Sequence, residues 1–307
     1  MDQNITIQEI KESNDTNVRV STLRLDAMHP IVSGNKWFKL RYYIQEALNK
    51  KATCVASFGG PYSNHLVALA YTAKQNELKS IGYVRSNSEE PLTPTLQEAI
   101  EYGMDLQFLG RQHFKTQKEN LLSTYYRGQN EDTINTDTYL INSASYFIDE
   151  GGYGYLGAKG AATILDNVPL ASYDYIICAV GTGTMMAGLI NSASPNQKII
   201  GIPVLKNEES IEKEIRSLLS NPAAPFTLFH EFHHGGYAKT NQSLFDFMNE
   251  LWIKENIPTD IVYTGKLFMA VEHLLKNNYF SPESSLLVIH SGGLQGNRSL
   301  PKNILLY

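Results

Sequence analysis

The 307-residue chain predicts an α/β fold with mainly parallel sheets, divided into two lobes. Three observations lead there. Short β-type runs alternate with helix-length amphipathic segments almost throughout, as in strand–helix–strand crossovers. A chain of this length buries a substantial core and divides more readily into two units than one. Glycine-rich turns follow several apolar runs and open helices, where ligands settle in open parallel sheets.

Strands are expected at Thr53–Phe58, Ser80–Val84, Leu106–Leu109, Tyr139–Asn142, Tyr175–Val180, Lys198–Val204 and Leu286–His290. Each is an apolar-rich run of strand length. The first helix is expected over Trp37–Leu48, because Trp37, Leu40, Ile44 and Leu48 recur at spacings of three and four and so share a face. Further helices are expected at Asn64–Glu77, Thr93–Tyr102, Gly154–Leu165, Met185–Ser192, Ser243–Lys254 and Gly265–Lys276. The more polar stretch Gln112–Thr138 reads as a surface helix and loop late in the first lobe. The cluster Gly151-Gly152-Tyr153-Gly154 reads as a crossing between lobes. The expected domains are residues 1–41 with 148–307, the larger, and residues 42–147, the smaller.

Composition narrows the function. The chain is 42% hydrophobic and 19% charged, with a net charge of −5 and dispersed basic residues. That argues against a nucleic-acid partner. No apolar run has the length of a bilayer span, and Met1-Asp2-Gln3-Asn4-Ile5 lacks the basic and apolar regions of a signal peptide. The expectation is a cytoplasmic protein with no membrane partner. Cys54 and Cys178 lie within apolar runs and read as small buried core residues, not as nucleophiles or metal ligands.

Candidate chemistry begins at Ser33-Gly34-Asn35-Lys36-Trp37-Phe38-Lys39-Leu40. Lys36 falls at the start of a helix, where a partly desolvated ammonium can lose its proton and act as an amine nucleophile. Lys39, three residues on, shares its face and can offer positive charge to the same ligand. An amine nucleophile beside an anion-binding lysine suits a phosphorylated aldehyde. The plainer reading of the octamer alone is a solvated, basic helix start.

Three further segments follow apolar runs. Gly59-Gly60-Pro61-Tyr62-Ser63-Asn64-His65 presents backbone amides and short polar groups at a helix N-terminus, which suits an anion; Ser63 as an ordinary helix cap explains the same residues. Gly181-Thr182-Gly183-Thr184-Met185 has the make-up of a phosphate cradle. Its third glycine, Gly188, falls too late for a dinucleotide fingerprint, so a monophosphate is the better fit, with a structural turn as the alternative. Tyr263, before Thr264-Gly265-Lys266, and Ser291, before Gly292-Gly293, could supply a ring and a hydroxyl to a heteroaromatic ligand, or be ordinary loop residues. His230-Glu231-Phe232-His233-His234 matches H-E-x-x-H, but that chemistry needs a helix carrying both histidines on one face. Phe226–Phe229 before it and Gly235-Gly236 after it suit a strand end and a loop, so no metal is expected.

Together and in this order, these motifs resemble the fold-type II pyridoxal-phosphate enzymes, specifically the 1-aminocyclopropane-1-carboxylate deaminase and D-cysteine desulfhydrase family. Gly34-Asn35-Lys36 with Lys39-Leu40 matches its Schiff-base lysine segment. Gly59–His65 is similar to its G-G-x-x-S-N-[HQ], and Glu150-Gly151-Gly152 with Leu156-Gly157 to its E-G-G-x-x-x-L-G crossing. The resemblance implies a tryptophan synthase β-like architecture, each domain a mainly parallel open sheet flanked by helices, with the larger domain binding pyridoxal 5′-phosphate and the smaller on the substrate side. Lys36 would hold the cofactor aldehyde, Lys39 and Gly181, Thr182, Gly183 and Thr184 its phosphate, Asn64 its ring hydroxyl and Ser291 its pyridine nitrogen. Ser63, Asn64 and His65 would meet the substrate. Tyr237 and Tyr263 would lie over or beside the ring and, with Lys36 and Ser63, form the catalytic set.

The implied activity is that of a lyase or hydrolase acting on a small amino acid, in a homodimer. True cyclopropane-opening deaminases carry Glu where this chain has Thr264 and Leu where it has Ser291, which leans the expectation toward a D-cysteine desulfhydrase. Met185 stands where the family usually has threonine. A cyclopropane-opening deaminase, an amino-acid racemase and a non-catalytic cofactor-binding regulator are the other readings.

Overall fold

The computed structural model describes residues 5–11, 17–87, 91–127, 144–166, 168–206 and 210–307, with side chains described outside 121–127. The chain divides into two compact units, residues 1–39 with 155–307 and residues 40–154.

Among the described residues, the first unit is built on a six-stranded sheet in the order β1-β2-β10-β7-β8-β9. Its strands are β1 (Thr6–Glu9), β2 (Arg19–Arg24), β7 (Tyr175–Val180), β8 (Lys198–Pro203), β9 (Thr227–Leu228) and β10 (Ser285–His290). β1 and β2 are antiparallel, and every other pairing is parallel. β7, β8 and β10 read as nearly continuous apolar runs because helices cover both faces of a parallel sheet. Ile177, Ile202, Leu267 and Val288 belong to the resulting core. Since β7 and β10 are parallel neighbours, with Cys178 opposite Ile289, the turns that follow them emerge at the same end of the sheet.

The helices of this unit pack closely where glycine permits. In α5 (Tyr155–Ala162), a Cβ on Gly160 would stand 2.1 Å from the Phe38 carbonyl oxygen. In α6 (Thr184–Ser192), a Cβ on Gly188 would meet the Ala158 carbonyl oxygen of α5 at 2.6 Å. Helices α7 (Ile211–Ser217), α8 (Gln242–Glu255) and α9 (Thr264–Lys276) complete the unit among the described residues.

The second unit has a four-stranded, fully parallel sheet in the order β5-β4-β3-β6. It comprises β3 (Cys54–Gly59), β4 (Lys79–Arg85), β5 (Met104–Leu109) and β6 (Ser145–Ile148), with helices α2 (Asn64–Gln75), α3 (Pro94–Glu101) and α4 (Arg111–Arg127). Phe58 anchors its core, its ring centroid 5.0 Å from that of Tyr83, 5.2 Å from Phe114 and 5.3 Å from Phe147. Truncating such a side chain typically costs about 3–5 kcal/mol. Proline at the first position of α3 and the Thr93 hydroxyl accepting from the Leu96 N–H define that helix start.

Helix α1 (Asn35–Asn49) belongs to both units, the division falling after Lys39. Its buried side differs from the expected stripe. Leu40 and Ile44 are buried, but Leu48 is 44% exposed, and Phe38, Tyr43 and Ala47 are buried instead.

β1, β2, β6 and α7 lie outside the expected elements, β9 falls within Phe226–Phe229, expected as a strand end, and the expected strand Tyr139–Asn142 falls outside the described residues. Both cysteines are buried, and burial raises the Cys54 thiol and pushes that of Cys178 up to about 12, where the reactive thiolate is scarce. Among the described residues no helix is long and apolar enough to cross a membrane.

Candidate active site

The entrance to α1 is set against the end of β10. Gly34 has φ +68°, and a Cβ there would stand 1.8 Å from the Ser291 carbonyl oxygen. That oxygen accepts the Asn35 N–H at 3.1 Å, so the first turn of α1 is registered on the turn after β10. Only glycine combines this backbone conformation with so close an approach.

Lys36 and Lys39 project from that turn. Lys36 Nζ donates to Asn35 Oδ1 at 3.3 Å, and among the described residues no carboxylate faces it. Burial lowers its pKa to about 8. Lys39 is 3% exposed, and its Nζ donates to Thr182 Oγ1 at 3.4 Å. Burial first, and the charge of Lys36 second, hold its pKa well below that of a free lysine. Two ammonium groups with so little water call for an anion, which would restore the charge of Lys39 while leaving Lys36 able to react.

Thr182 lies in the turn between β7 and α6. Its hydroxyl is 2.9 Å from that of Thr184, and Gly183 enters the helix at φ +75°. Met185 is buried in α6, so the turn's hydroxyls come from Thr182 and Thr184. A Cβ on Gly181 would meet Cε1 of Tyr263 at 3.1 Å, which places that ring against the same turn.

Tyr263 is held by a buried knot that sequence reasoning missed. The Asp260 carboxylate accepts the backbone N–H groups of Val262 at 2.8 Å, Tyr263 at 3.0 Å and Thr264 at 2.8 Å. Thr264 Oγ1 donates to Asp260 Oδ1 at 2.8 Å and accepts the Asp260 N–H at 2.7 Å. Burial raises the Asp260 carboxyl, and these hydrogen bonds oppose the rise. The signal available was an aspartate four residues before a threonine at a helix start, a capping pattern. The Tyr237 ring lies edge-on to Tyr263, centroids 6.4 Å apart and planes at 77°.

Ser291 is buried beyond the end of β10, and its hydroxyl makes no hydrogen bond to another described residue. His290 before it fixes the turn. Its Nε2 donates to the Pro258 carbonyl at 2.6 Å, while Nδ1 lies 3.3 Å from both the Gly292 nitrogen and Asp26 Oδ1. Lys36, Lys39, Gly181–Thr184, Tyr237, Tyr263 and Ser291 are thus linked through contacts within the first unit.

The segment His230–His233 is a short 3-10 turn, and His234 follows in the left-handed region. It lacks the helix that H-E-x-x-H chemistry requires.

Ser63, Asn64 and His65 belong to the second unit. Ser63 caps α2, its hydroxyl accepting the Leu66 N–H at 3.4 Å, and Asn64 opens the helix. A Cβ on Gly59 would meet the Ser63 hydroxyl at 2.6 Å. The His65 ring is buried, with Nε2 2.9 Å from Ser57 Oγ on β3. Lys118 of α4 pairs with Asp149 at 2.9 Å and Glu150 at 3.2 Å, holding the start of the glycine crossing.

The profile of the family described as pyridoxal-phosphate dependent enzymes matches residues 6–292. The chain belongs to that family. It is similar to a putative 1-aminocyclopropane-1-carboxylate deaminase of Thermotoga maritima, 28% identical over 306 residues that cover 94% of this chain and 93% of the relative. A D-cysteine desulfhydrase of Salmonella choleraesuis is 25% identical, with 88% and 86% covered. In fold it resembles the crystal structure of a 1-aminocyclopropane-1-carboxylate deaminase homologue (TM-score 0.80, 24% identity, 95% of this chain and 90% of that one).

The protein is therefore a fold-type II pyridoxal-phosphate enzyme, a lyase, and the earlier latitude toward a hydrolase narrows accordingly. Its residues fit the cofactor: a reactive amine at Lys36, a desolvated cation and paired hydroxyls at a glycine turn for a phosphate, and an aromatic ring against that turn.

Proposed function

We propose that this enzyme carries out β-elimination and deamination of a small amino acid, with D-cysteine as the type substrate, giving pyruvate, sulfide and ammonia. The observation that carries this reading is Ser291, a buried hydroxyl with no hydrogen bond to another described residue, where cyclopropane-opening enzymes have leucine. Thr264 supports it differently from what sequence suggested. Its hydroxyl is committed to Asp260, so it acts by holding Tyr263 rather than by meeting substrate.

When bound, pyridoxal phosphate supplies the electron sink for negative charge at the substrate Cα. The protein's part is binding, orientation and proton transfer. Lys39, Thr182, Thr184 and the amides of Gly181 and Gly183 hold the phosphate. Lys36 would hold the aldehyde, and its free amine, with a pKa of about 8, is suited to take the Cα proton. Tyr263 and Tyr237 confine the ring. Ser291 would offer the pyridine nitrogen a hydroxyl instead of a carboxylate, which would favour a less protonated nitrogen and a weaker sink. Expulsion of a thiolate from Cβ tolerates this better than opening a carbon ring. By resemblance, Asn64 would take the ring hydroxyl and Ser63 the substrate carboxylate. His65, engaged with Ser57, sits on that side as support.

In this reading the larger domain binds the cofactor, the smaller one serves the substrate, and the enzyme is a homodimer. Cyclopropane ring opening is the competing activity, supported by the similarity to the putative deaminase of Thermotoga maritima. Pyruvate and sulfide from D-cysteine, with no 2-oxobutyrate from 1-aminocyclopropane-1-carboxylate, are the expected result. The reverse pattern would replace this assignment with the deaminase.

A further inference from the structure

Lys266 lies three residues after Tyr263 on α9, and its side chain is fully buried at 0% exposure. A lysine there is costly unless its ammonium is engaged. Nζ donates to the carbonyl oxygens of His233 at 2.9 Å and Gly236 at 2.7 Å. Those carbonyls bracket a turn in which His234, Gly235 and Gly236 all take positive φ, +49°, +91° and +115°. Its local bonds are the Gly236 N–H to the His233 carbonyl at 3.0 Å, the Lys239 N–H to the Gly236 carbonyl at 3.2 Å and the Gly235 N–H to His233 Nδ1 at 2.9 Å. The next residue is Tyr237, 46% exposed, whose ring stands edge-on to Tyr263.

We propose that Lys266 is a positioning residue that fixes Tyr237 relative to Tyr263, so that one turn of α9 sets both rings. Tyr263 leaves that turn directly, and Tyr237 is reached through the two carbonyls that Lys266 holds. Burial lowers the lysine to about 8 and nearby Asp260 raises it, so at neutral pH the ammonium predominates and both bonds are charge-assisted. A lysine that merely filled space would satisfy its ammonium anywhere. This one converges on two carbonyls of the turn that leads into Tyr237. The importance of that ring to the cofactor rests on the function proposed above, but the clamp itself does not.

The test uses Lys266→Met, which keeps the chain length and removes the donors, and Lys266→Gln, which keeps two N–H groups should the first variant fold poorly. Hydrogen exchange of residues 233–239 is measured without cofactor, and the visible circular dichroism of the bound cofactor is measured with Lys266 varied in wild-type and Tyr237→Ala backgrounds. Exchange in the loop is expected to accelerate about tenfold or more, as befits two lost charge-assisted bonds, with the rest of α9 unchanged. The dichroic band is expected to change in Lys266→Met and to change no further when Tyr237→Ala is already present. Unaltered loop exchange in both variants would overturn the clamp. An equal change of the band in both backgrounds would overturn its action through Tyr237. A wild-type protein that binds no cofactor would count against the proposed function alone, because the exchange arm still decides the clamp.

Discussion

The reactivity of Lys36 should follow its burial, and the size of the effect can be worked out. A free lysine with a pKa of 10.5 has about one neutral amine in 3,000 at pH 7; at about 8 the neutral share is roughly one in eleven. Burial therefore raises the reactive fraction about 300-fold. The assay is stopped-flow absorbance of the apoprotein mixed with pyridoxal, which lacks the phosphate and so removes the contribution of Lys39. The rate is expected to climb about tenfold per pH unit from pH 6 and to flatten near 8. Lys36→Ala should abolish the signal. A rate that keeps climbing toward pH 10.5 would show that Lys36 is solvated, and the argument from burial to nucleophile would fail. The same shift has a stability corollary of definite sign. Because the folded pKa lies below the unfolded value, this group opposes folding below about pH 8 and ceases to do so as the pH rises through the interval to 10.5.

Three other perturbations follow from the geometry. Gly34→Ala must place a Cβ against the Ser291 carbonyl at a strained φ, so a loss of about 3 kcal/mol or more is expected in chemical denaturation, together with loss of cofactor binding. Thr264→Val keeps the shape but strands the buried Asp260 amide and removes one of the two hydrogen bonds to Asp260 Oδ1, which should cost about 2–3 kcal/mol and lower kcat through Tyr263. Lys39, held well below its ordinary pKa by burial and Lys36, should recharge when a phosphate arrives. Calorimetry in buffers of different ionisation heat should show proton uptake on cofactor binding, absent in Lys39→Met, whose affinity should fall about 10–100-fold.

The parallel strands were legible because burial on both faces leaves unbroken apolar runs, and Tyr175–Val180 coincides with β7 at both ends. Strands with polar partners were not. β1 and β2 form the antiparallel end of their sheet, and Arg19-Val20-Ser21-Thr22-Leu23-Arg24 has no apolar run to announce it. Lys36 and the glycine turns could be recognised because their chemistry depends on local sequence. The Asp260 knot and the Lys266 clamp join residues through folding, and Lys266 with His233 is a pair separated by 33 positions that no local pattern marks. Thr264 shows the limit most clearly. Its identity was read as a matter of substrate, whereas its hydroxyl is spent on the backbone that carries Tyr263.

The place of α1 bears on how the enzyme is made. The first unit is discontinuous, and its β2 pairs with β10 across 266 positions, as the bond from Arg19 to Ser285 shows. Contacts so distant in sequence carry a large loop-closure cost and form slowly. β10 follows residues 40–154 in chain order, so β2 has no parallel partner until β10 has been made. The surroundings of Lys36 are thus completed only once residue 291 has been made and its carbonyl can receive the Asn35 N–H. Before that point Lys36 lacks the burial that lowers its pKa.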